Sequence, residues 1–402
     1  MRYILIKPTK NKFKDSNGGD MKKTSRNLGD IFLCGVSLLI LFACMLTLLF
    51  SKDASFSEKE NRALRTRPKV TFEKLLDGRY FSELTEFCSD QFPSRTLFTS
   101  TSTLIDLCLA RKETNELIIA NDGYLVARHD YKEFDTLKSN CEALSAFLKR
   151  TNDSGIPSFV FVAPRSIDVN EERLPSLYDS TITKEPYKIL NKSISSSYLI
   201  EINNELKDRS KTEYIWYLTD HHWTTSGAYY AYLEISKKLQ FDPLLKECFT
   251  VEAVNDSFLG TTFSRLGIND LKRKDTIMLY RYKDDDSFLV SEPSTNKTTF
   301  GFYDFDALSQ FDKYKVFLGG NTDIIRIRDT TKYKPRLLLI KDSFANSIVP
   351  FLAIHYDIDM IDLRYYKGSI QKYMNENTFD SILVLYGIDT LSSDVSCSNI
   401  LK

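Results

Sequence analysis

A long apolar stretch near the amino terminus places the strongest constraint on how this chain can fold. Residues 31–50 contain no charged side chain, and the nearest charges on either side are Asp30 and Lys52. A helix of about 20 consecutive apolar residues spans the hydrocarbon core of a bilayer. The sequence therefore predicts one transmembrane helix at 31–50, with residues 51–402 left to fold beyond it.

The charges around this stretch predict its orientation. By the positive-inside rule, basic residues ahead of a span keep the amino terminus in the cytoplasm, and the rest of the chain then lies outside. Basic residues also follow the span, which reduces the difference in positive charge between its two ends. A cleaved signal peptide is the alternative, but the apolar run continues through Phe50 without a small-x-small cleavage site. The basic residues ahead of the span are Arg2, Lys7, Lys10, Lys12, Lys14, Lys22, Lys23 and Arg26.

Composition excludes some classes of function. The 54 basic and 54 acidic residues balance to a net charge of zero, and no basic stripe is present, which argues against nucleic-acid binding. The 7 cysteines are scattered, so neither a disulfide framework nor a zinc ribbon is indicated. We expect no metal and no cofactor.

Beyond the span, short apolar segments alternate with helical patterns. Such alternation predicts a mostly parallel α/β sheet flanked by helices. The turn Asn121-Asp122-Gly123 predicts a β-hairpin, and the polar segment 270–300 an insertion or rim hairpin. Predicted strands lie near 159–162, 214–219, 314–318, 336–341, 358–363 and 382–386, and predicted helices at 137–150, 227–239 and 344–355.

This pattern divides the chain into four parts. Helical periodicity at 70–110 predicts a membrane-proximal segment between the span and the sheet. The predicted parts are a cytoplasmic basic tail at 1–30, the transmembrane helix at 31–50, a membrane-proximal helical segment at 51–112 and the α/β domain at 113–402.

The first chemically informative motif is Asp220-His221-His222-Trp223. In a strand, side chains alternate faces, so Asp220 and His222 are expected on one side and His221 on the other. A carboxylate beside an imidazole fixes its tautomer and leaves Nε2 as a general base. Core packing and helix capping are the simpler interpretation of one short motif. Zinc binding is a weaker alternative, because adjacent histidines on a strand diverge.

The second motif is Lys341-Asp342-Ser343-Phe344, at the end of an aliphatic strand pattern. Ser343 is expected at the carboxyl end of a buried strand, where open α/β sheets bind ligands, with its N–H free at a helix start. Asp342 and Ser343 could equally cap that helix. An aspartate, a histidine and a serine are together the groups that activate an oxygen nucleophile.

The two motifs resemble those of the DHHW protein family. This family is related to the alginate O-acetyltransferases of the SGNH hydrolase-like superfamily, in which an Asp-x-His-Trp motif precedes a Gly-Asp-Ser-Phe motif. The resemblance implies a triad of Asp220, His222 and Ser343. Lys341 stands where the family pattern usually has glycine, and its larger side chain is expected to crowd the serine turn. Further segments resemble family blocks, at 57–62, 90–95, 316–321 and 360–366.

Further site candidates follow from the pattern and from the resemblance. Gly320 and Asn321 end an apolar segment, where an amide could donate to an oxyanion, although an ordinary Gly-Gly-Asn turn is equally compatible. The resemblance implies that Arg364 lines the acyl-transfer pocket, and a salt bridge is its alternative. Trp223 is a candidate for contacting substrate.

The function predicted from these residues is serine-dependent transfer or hydrolysis of an acyl group, most simply acetyl, on a cell-surface polysaccharide. An extracytoplasmic transferase has no access to cytosolic acetyl-CoA. The resemblance therefore implies a membrane-embedded acyl donor protein as partner, which an esterase would not need. A catalytically silent carbohydrate-binding or scaffold protein of the cell envelope is the alternative, suggested by Lys341.

Overall fold

The computed structural model describes residues 19–57, 62–128, 134–176, 178 and 184–401. Contacts divide the described residues into two compact units, one within residues 19–57 and 63–95 and the other comprising residue 62 and the described part of 96–401. The larger unit includes most of the helix Arg95–Cys108, which the sequence pattern assigns to the membrane-proximal segment.

The smaller unit begins with one long apolar helix. Within α1, Leu28–Phe50 has a mean hydropathy of 2.7 and is long and apolar enough to cross a membrane. Its helices and strands are α1 (Gly19–Phe50), β1 (Phe56–Ser57), β2 (Arg62–Ala63), α2 (Phe72–Leu76) and α3 (Arg79–Asp90).

The larger unit contains the remaining elements. Its α-helices are α4 (Arg95–Cys108), α5 (Asp135–Asp153), α6 (Ser166–Val169), α7 (Glu185–Ser193), α8 (Asn203–Ser210), α9 (Thr225–Leu239), α10 (Thr261–Leu266), α11 (Val349–Leu352), α12 (Ile370–Glu376) and α13 (Ile388–Ser393). Its strands are β3 (Glu113–Thr114), β4 (Leu117–Ile119), β5 (Leu125–Ala127), β6 (Ser158–Ala163), β7 (Leu199–Ile200), β8 (Phe249–Phe258), β9 (Asp275–Tyr282), β10 (Phe288–Glu292), β11 (Lys297–Phe300), β12 (Ile324–Asp329), β13 (Arg336–Lys341), β14 (Asp357–Ile361) and β15 (Ser381–Gly387). Described 3₁₀ turns lie at Asn121–Gly123, Glu171–Arg173, Lys246–Cys248, Asp285–Ser287, Phe305–Ser309, Lys313–Val316, Ser343–Ser347 and Val395–Leu401.

An eight-stranded sheet organises this unit, in the order β11-β10-β12-β14-β13-β15-β6-β7. The strands β14, β13, β15, β6 and β7 are parallel, and β12, β10 and β11 extend the sheet antiparallel at one edge. At its centre Ile340 lies opposite Ile361 on one neighbour and Val384 on the other. The predicted mostly parallel α/β fold is confirmed.

Both faces of the sheet are covered, because its central strands are apolar on both sides. Along β13, Leu337 and Leu339 belong to one buried cluster and Leu338 and Ile340 to the other. Helix α9 packs in the first cluster and α5 in the second. This two-sided burial explains the continuous aliphatic runs of the parallel strands.

Several local predictions are confirmed and others are wrong. The hairpin of β4 and β5 is present, and 270–300 forms β9 and the β10–β11 hairpin at the sheet edge. Residues 214–219 are not a strand and form only one isolated bridge, between Trp216 and Trp223. Residues 314–318 are not a strand either, because a 3₁₀ turn occupies Lys313–Val316. The predicted helix at 344–355 is a 3₁₀ turn followed by the short α11.

Candidate active site

Ser343 lies where the central strand β13 ends. The 3₁₀ turn Ser343–Ser347 starts there, and Asp342 caps it by accepting a hydrogen bond from the Phe344 N–H at 3.0 Å. The other carboxylate oxygen of Asp342 accepts from the Gly387 N–H, at the end of the adjacent strand β15, at 2.7 Å. Asp342 therefore fixes the turn, and Ser343 occupies its first position, where N–H groups have no partner within a helix.

A chain of hydrogen bonds joins Asp220, His222 and Ser343. The Nδ1 atom of His222 lies 2.6 Å from Asp220 Oδ1, and its Nε2 atom lies 2.8 Å from Ser343 Oγ. Asp220 and His222 are almost fully buried, while Ser343 is partly exposed. In this arrangement the carboxylate fixes the Nδ1–H tautomer and leaves Nε2 to accept the serine proton.

The carboxylate of Asp220 is held by a loop outside its own motif. Its Oδ2 atom accepts hydrogen bonds from the N–H and the hydroxyl of Thr261, at 2.8 and 3.0 Å. Burial alone would raise the pKa of Asp220, but the neighbouring imidazoles and the Thr261 bond outweigh it and lower the pKa well below its usual value. Gly260 lies against this carboxylate so closely that a Cβ there would come within 2.3 Å of Asp220.

Asp275, at the start of β9, holds the loop before the motif, and the sequence analysis missed it. One carboxylate oxygen accepts the Leu218 N–H at 2.7 Å and the hydroxyl of Tyr214, and the other accepts the Thr219 N–H at 2.8 Å and the Thr219 hydroxyl. Four donors on one buried carboxylate keep residues 214–219 in an irregular bend. No local pattern signals this role, because the partners lie about sixty residues apart.

The prediction that His221 points away from His222 is wrong. The two rings lie side by side, with centroids 3.8 Å apart, and His221 Nδ1 lies 2.5 Å from the Thr261 hydroxyl. The side chains of these residues do not alternate between two faces, because the segment bends here instead of extending. Within the described residues, Asp220, His221 and His222 are the one group whose ligand atoms lie close enough to hold a metal ion. Both ring nitrogens of His222, however, already take part in protein hydrogen bonds.

The place of Lys341 in the motif predicted that its side chain would crowd the serine turn. The side chain instead extends to a group of buried polar side chains. It is 1% exposed, and its Nζ donates to Asn321 Oδ1 at 2.6 Å and Asn346 Oδ1 at 2.9 Å and lies 3.8 Å from Asp362. Burial lowers the pKa of Lys341 to about 8, although the charge of Asp362 opposes this. Its long side chain therefore ends in a buried polar cluster.

The same cluster determines how Asn321 is oriented. An ammonium group can only donate, so the atom of Asn321 that faces Lys341 is Oδ1, and the Nδ2 group points the other way. Asn346 donates to the same Oδ1 at 3.2 Å and to the Gly320 carbonyl at 3.4 Å. Gly320 has a φ of 106°, which favours glycine at this turn. Both residues thus contact the turn that carries Ser343.

Arg364 and Trp223, the two remaining candidate residues, lie on different sides of the site. Arg364 makes a bidentate pair with Asp362, at 2.9 and 2.6 Å, and lines the open groove described below. Trp223 is fully buried, and its Nε1–H donates to Ser347 Oγ at 2.9 Å. Trp223 therefore packs against the turn that carries Ser343, and its contact with substrate stays a prediction.

Two cavities adjoin the site at His221. One is an open groove of about 820 Å³, whose wall includes Arg265 and Asp389 besides Thr261 and Arg364. The other is a small pocket of about 20 Å³ between His221 and Phe344, lined by apolar and polar residues. Its other apolar lining residues are Ala127, Pro164, Ile167 and Ile388, and its polar ones are Arg165, Ser166, Thr262 and Asp389.

The fold and this site define the class of protein. A mostly parallel sheet carries a serine at the end of a central strand, and an Asp-x-His segment lies beside that serine, so the protein is an α/β protein with the three groups of a serine triad. The chain belongs to the DHHW protein family, whose sequence profile matches residues 156–361. No curated protein matches the sequence.

Solved structures share this fold at low sequence identity. A DHHW family protein from Eubacterium siraeum is 20% identical, with a TM-score of 0.58 over 72% of this chain and 97% of that one. Bacillus cereus PatB1, in a structure with a sulfonyl adduct, is 21% identical, with a TM-score of 0.57 over 70% of this chain and 99% of its own. The O-acetyltransferase domain of Pseudomonas putida AlgJ is 13% identical over 69% of this chain and 92% of its own, with a TM-score of 0.43, which is too low to show a shared fold.

Proposed function

We propose that this protein is a membrane-anchored, serine-dependent acyltransferase or esterase that acts on a cell-surface polysaccharide. The observation that carries the proposal is the unbroken hydrogen-bond chain from Asp220 through His222 to Ser343. In this proposal Ser343 is the nucleophile, His222 the general base and Asp220 the group that orients it.

In the first half of the reaction, Ser343 Oγ attacks the carbonyl carbon of an ester while its proton passes to His222 Nε2. The carbonyl oxygen becomes an oxyanion, which the Ser343 N–H and the Nδ2 group of Asn321 would stabilise. The ester C–O bond then breaks, and His222 returns its proton to the leaving alcohol. Asp220 stabilises the imidazolium between these two transfers. The product is an acyl-serine on Ser343.

In the second half, a hydroxyl group attacks the acyl-serine. His222 takes the proton of the incoming hydroxyl, and the bond to Ser343 Oγ breaks as that oxygen is reprotonated. Water as acceptor makes the protein an esterase, whereas a sugar hydroxyl makes it a transferase. The open groove beside His221 and Thr261 would admit a chain of sugars to this point.

The acyl group is proposed to be short, most simply acetyl. The small pocket between His221 and Phe344 has a volume of about 20 Å³, comparable with the space one water molecule requires. The apolar part of its lining suits a methyl group, and its volume leaves no room for a longer chain. The resemblance of the motifs to those of O-acetyltransferases agrees with this size.

The proposed location is the outer face of the cell membrane, with α1 as a single span and the amino terminus in the cytoplasm. The basic residues ahead of the span support this orientation. A transferase in this location would receive its acyl group from a membrane-embedded donor protein, because one helix cannot form a channel for an activated acyl group. Protease added to intact cells should then digest the large unit and spare a tag at Met1.

A sulfonyl fluoride tests the nucleophile directly. The related PatB1 has been solved with a sulfonyl adduct. Sulfonyl fluorides react with activated serines, so the full chain should gain the mass of one sulfonyl group and lose activity towards a chromogenic acetyl ester. Ser343→Ala should show neither labelling nor turnover, whereas Ser154→Ala, at an exposed serine after α5, should show both. Labelling of the Ser343→Ala variant to the same extent would refute the proposal.

A second experiment distinguishes the two directions of transfer. Deleting the gene should lower O-acetylation of the surface polymer if the protein is a transferase and raise it if the protein is an esterase. Unchanged acetylation, together with no ester cleavage by the purified protein, would contradict both.

A further inference from the structure

The membrane-proximal helices expose apolar side chains close to the end of the candidate span. In α2, Phe72 is 78% exposed and Leu76 is 74% exposed, and in α3 Phe81 is 60% exposed. Val70, just before α2, is 62% exposed. We refer to Val70, Phe72, Leu76 and Phe81 as the apolar collar. Isolated apolar residues are common on protein surfaces, but four within twelve positions need a partner.

Arg67 ties this segment to the carboxyl end of α1. Its guanidinium donates to the Leu48 and Leu49 carbonyls, at 2.8 and 3.2 Å, which are among the last carbonyls of the helix and have no partner within it. The Arg67 N–H donates to Asp53 at 2.8 Å, and the guanidinium lies 5.5 Å from the ring centre of Phe87 in α3. Arg67 thus joins the end of the span, the chain that leaves it and α3.

A second set of bonds fixes the same arrangement. The side chain of Gln91, just after α3, donates to the Ala54 and Arg65 carbonyls at 2.8 and 2.9 Å and accepts from the Ala54 N–H at 3.0 Å. Asp90 accepts from the Arg65 N–H at 2.8 Å. Both ends of the segment 65–91 are therefore held at the point where the chain leaves α1.

The position of the collar follows from these ties. Phe72 lies five residues after Arg67, and an extended chain advances at most about 3.5 Å per residue, so Phe72 lies within about 18 Å of Arg67, whose guanidinium contacts the last turn of the span. The interfacial layer between hydrocarbon and water begins at that end. Aromatic and aliphatic side chains that reach this layer are stabilised by insertion between lipid headgroups.

Most basic residues of the segment 65–91 have an acidic partner, and among the described residues Lys69 alone has none, so charge contributes little to membrane attachment. Lys74 pairs with Glu83 at 2.7 Å, and Arg79 pairs with Glu73 and Asp77. Arg65 pairs with Glu86 at 2.8 Å. Attraction to acidic headgroups would require free cations, whereas the exposed groups of the collar are apolar.

We propose that the apolar collar inserts into the interfacial layer of the bilayer and makes a second, monotopic attachment beside the span. This inference rests on the membrane insertion of α1 proposed above. Insertion of the collar would hold α2 and α3 against the outer surface of the membrane. The free energy of this attachment comes from the burial of apolar side chains, so the attachment should not depend on acidic lipids.

Tryptophan fluorescence can test the proposal in the full chain. The protein has two tryptophans, Trp216 and Trp223, and both are fully buried, so an added one reports on its own surroundings. Phe72→Trp and Phe81→Trp would be reconstituted in phosphatidylcholine bilayers with and without bromine on the acyl chains. Brominated lipids should quench the added fluorescence in both variants, and addition of phosphatidylglycerol should not change the quenching.

A control variant separates the possible outcomes. Leu39→Trp, in the middle of α1, should be quenched if the span is inserted. Quenching of Leu39→Trp without quenching of Phe72→Trp would overturn the collar and leave the span intact. Loss of quenching at Leu39→Trp would overturn membrane insertion itself. Quenching that requires phosphatidylglycerol would also overturn the collar.

Discussion

The Nε2 atom of His222 lies 2.8 Å from Ser343 Oγ, although 121 positions separate the two residues in the sequence. His222 is carried by an irregular loop, and Ser343 follows the central strand β13. The loop is held by groups from other parts of the chain, which are Asp275 and the Gly260-Thr261 segment. The geometry of the site therefore depends on residues outside both motifs.

The two neighbouring histidines should differ in their effect on turnover. His222→Ala removes the proposed base and should lower kcat towards an acetyl ester roughly a thousandfold, within the range known for general-base catalysis. His221→Ala removes a ring that contacts His222 and the groove but not Ser343, so kcat/KM should fall only about tenfold, mainly through KM. Steady-state kinetics of both variants would check this, with thermal unfolding to confirm that each is folded. A larger loss of kcat in His221→Ala than in His222→Ala would mean that His221, and not His222, is the general base.

Gly260→Ala should disable the site through a single methyl group. Gly260 has an ordinary φ of −94°, so the substitution introduces no backbone strain, but the added Cβ would lie 2.3 Å from Asp220. Asp220 must then move, and the tautomer of His222 is no longer fixed. Loss of an orienting carboxylate costs about 10⁴ in kcat in serine triads, and we expect a loss of that order.

The matched control for this substitution is Gly35→Ala, where the new Cβ would meet no atom within 4 Å. Ester turnover should be unchanged in this variant. Near-normal turnover in Gly260→Ala would show that Asp220 does not need its observed position.

Asp275→Asn should weaken both stability and activity. The two carboxylate oxygens accept the N–H groups of Leu218 and Thr219 separately, and an amide nitrogen cannot accept either bond. One buried N–H therefore loses its acceptor, which costs about 2 kcal/mol of unfolding free energy. Chemical denaturation would measure the loss, and kcat should fall as the Asp220 loop relaxes. An unchanged kcat in the folded variant would limit Asp275 to a role in stability.

Lys341 predicts a distinctive dependence of stability on pH. Burial lowers its folded pKa to about 8 from 10.5, so between these pH values the unfolded chain binds more protons and the free energy of unfolding rises with pH. Below pH 8 both states are protonated and the cost of the buried charge is fully present. The complete rise is roughly 3 kcal/mol, at about 1.4 kcal/mol per pKa unit.

Lys341→Met should abolish this rise. Denaturation of both proteins at several pH values below and above 8 would compare the slopes, since other titrating groups are common to the two. Equal slopes would mean that Lys341 keeps its ordinary pKa in the folded protein.

Local pattern alone predicted much of the fold. The aliphatic runs of β6, β13, β14 and β15 are continuous because these strands are buried on both faces, and such runs are visible without tertiary information. The helix α9 begins at its capping Thr224, and the Asn121-Asp122-Gly123 turn joins β4 to β5 as predicted. The apolar length of α1 likewise needs only the sequence.

Tertiary structure alone decided the conformation between these elements. Residues 214–219 have the composition of a strand, yet the four hydrogen bonds to the Asp275 carboxylate hold them in a bend and bring His221 beside His222. Lys341 appeared to crowd the serine turn, but polar partners from two other segments draw its side chain into a buried cluster. Sequence periodicity reports which face of a regular element is buried. It cannot report which distant polar groups will satisfy an irregular backbone or a buried charge, because those partners are brought together only by the fold.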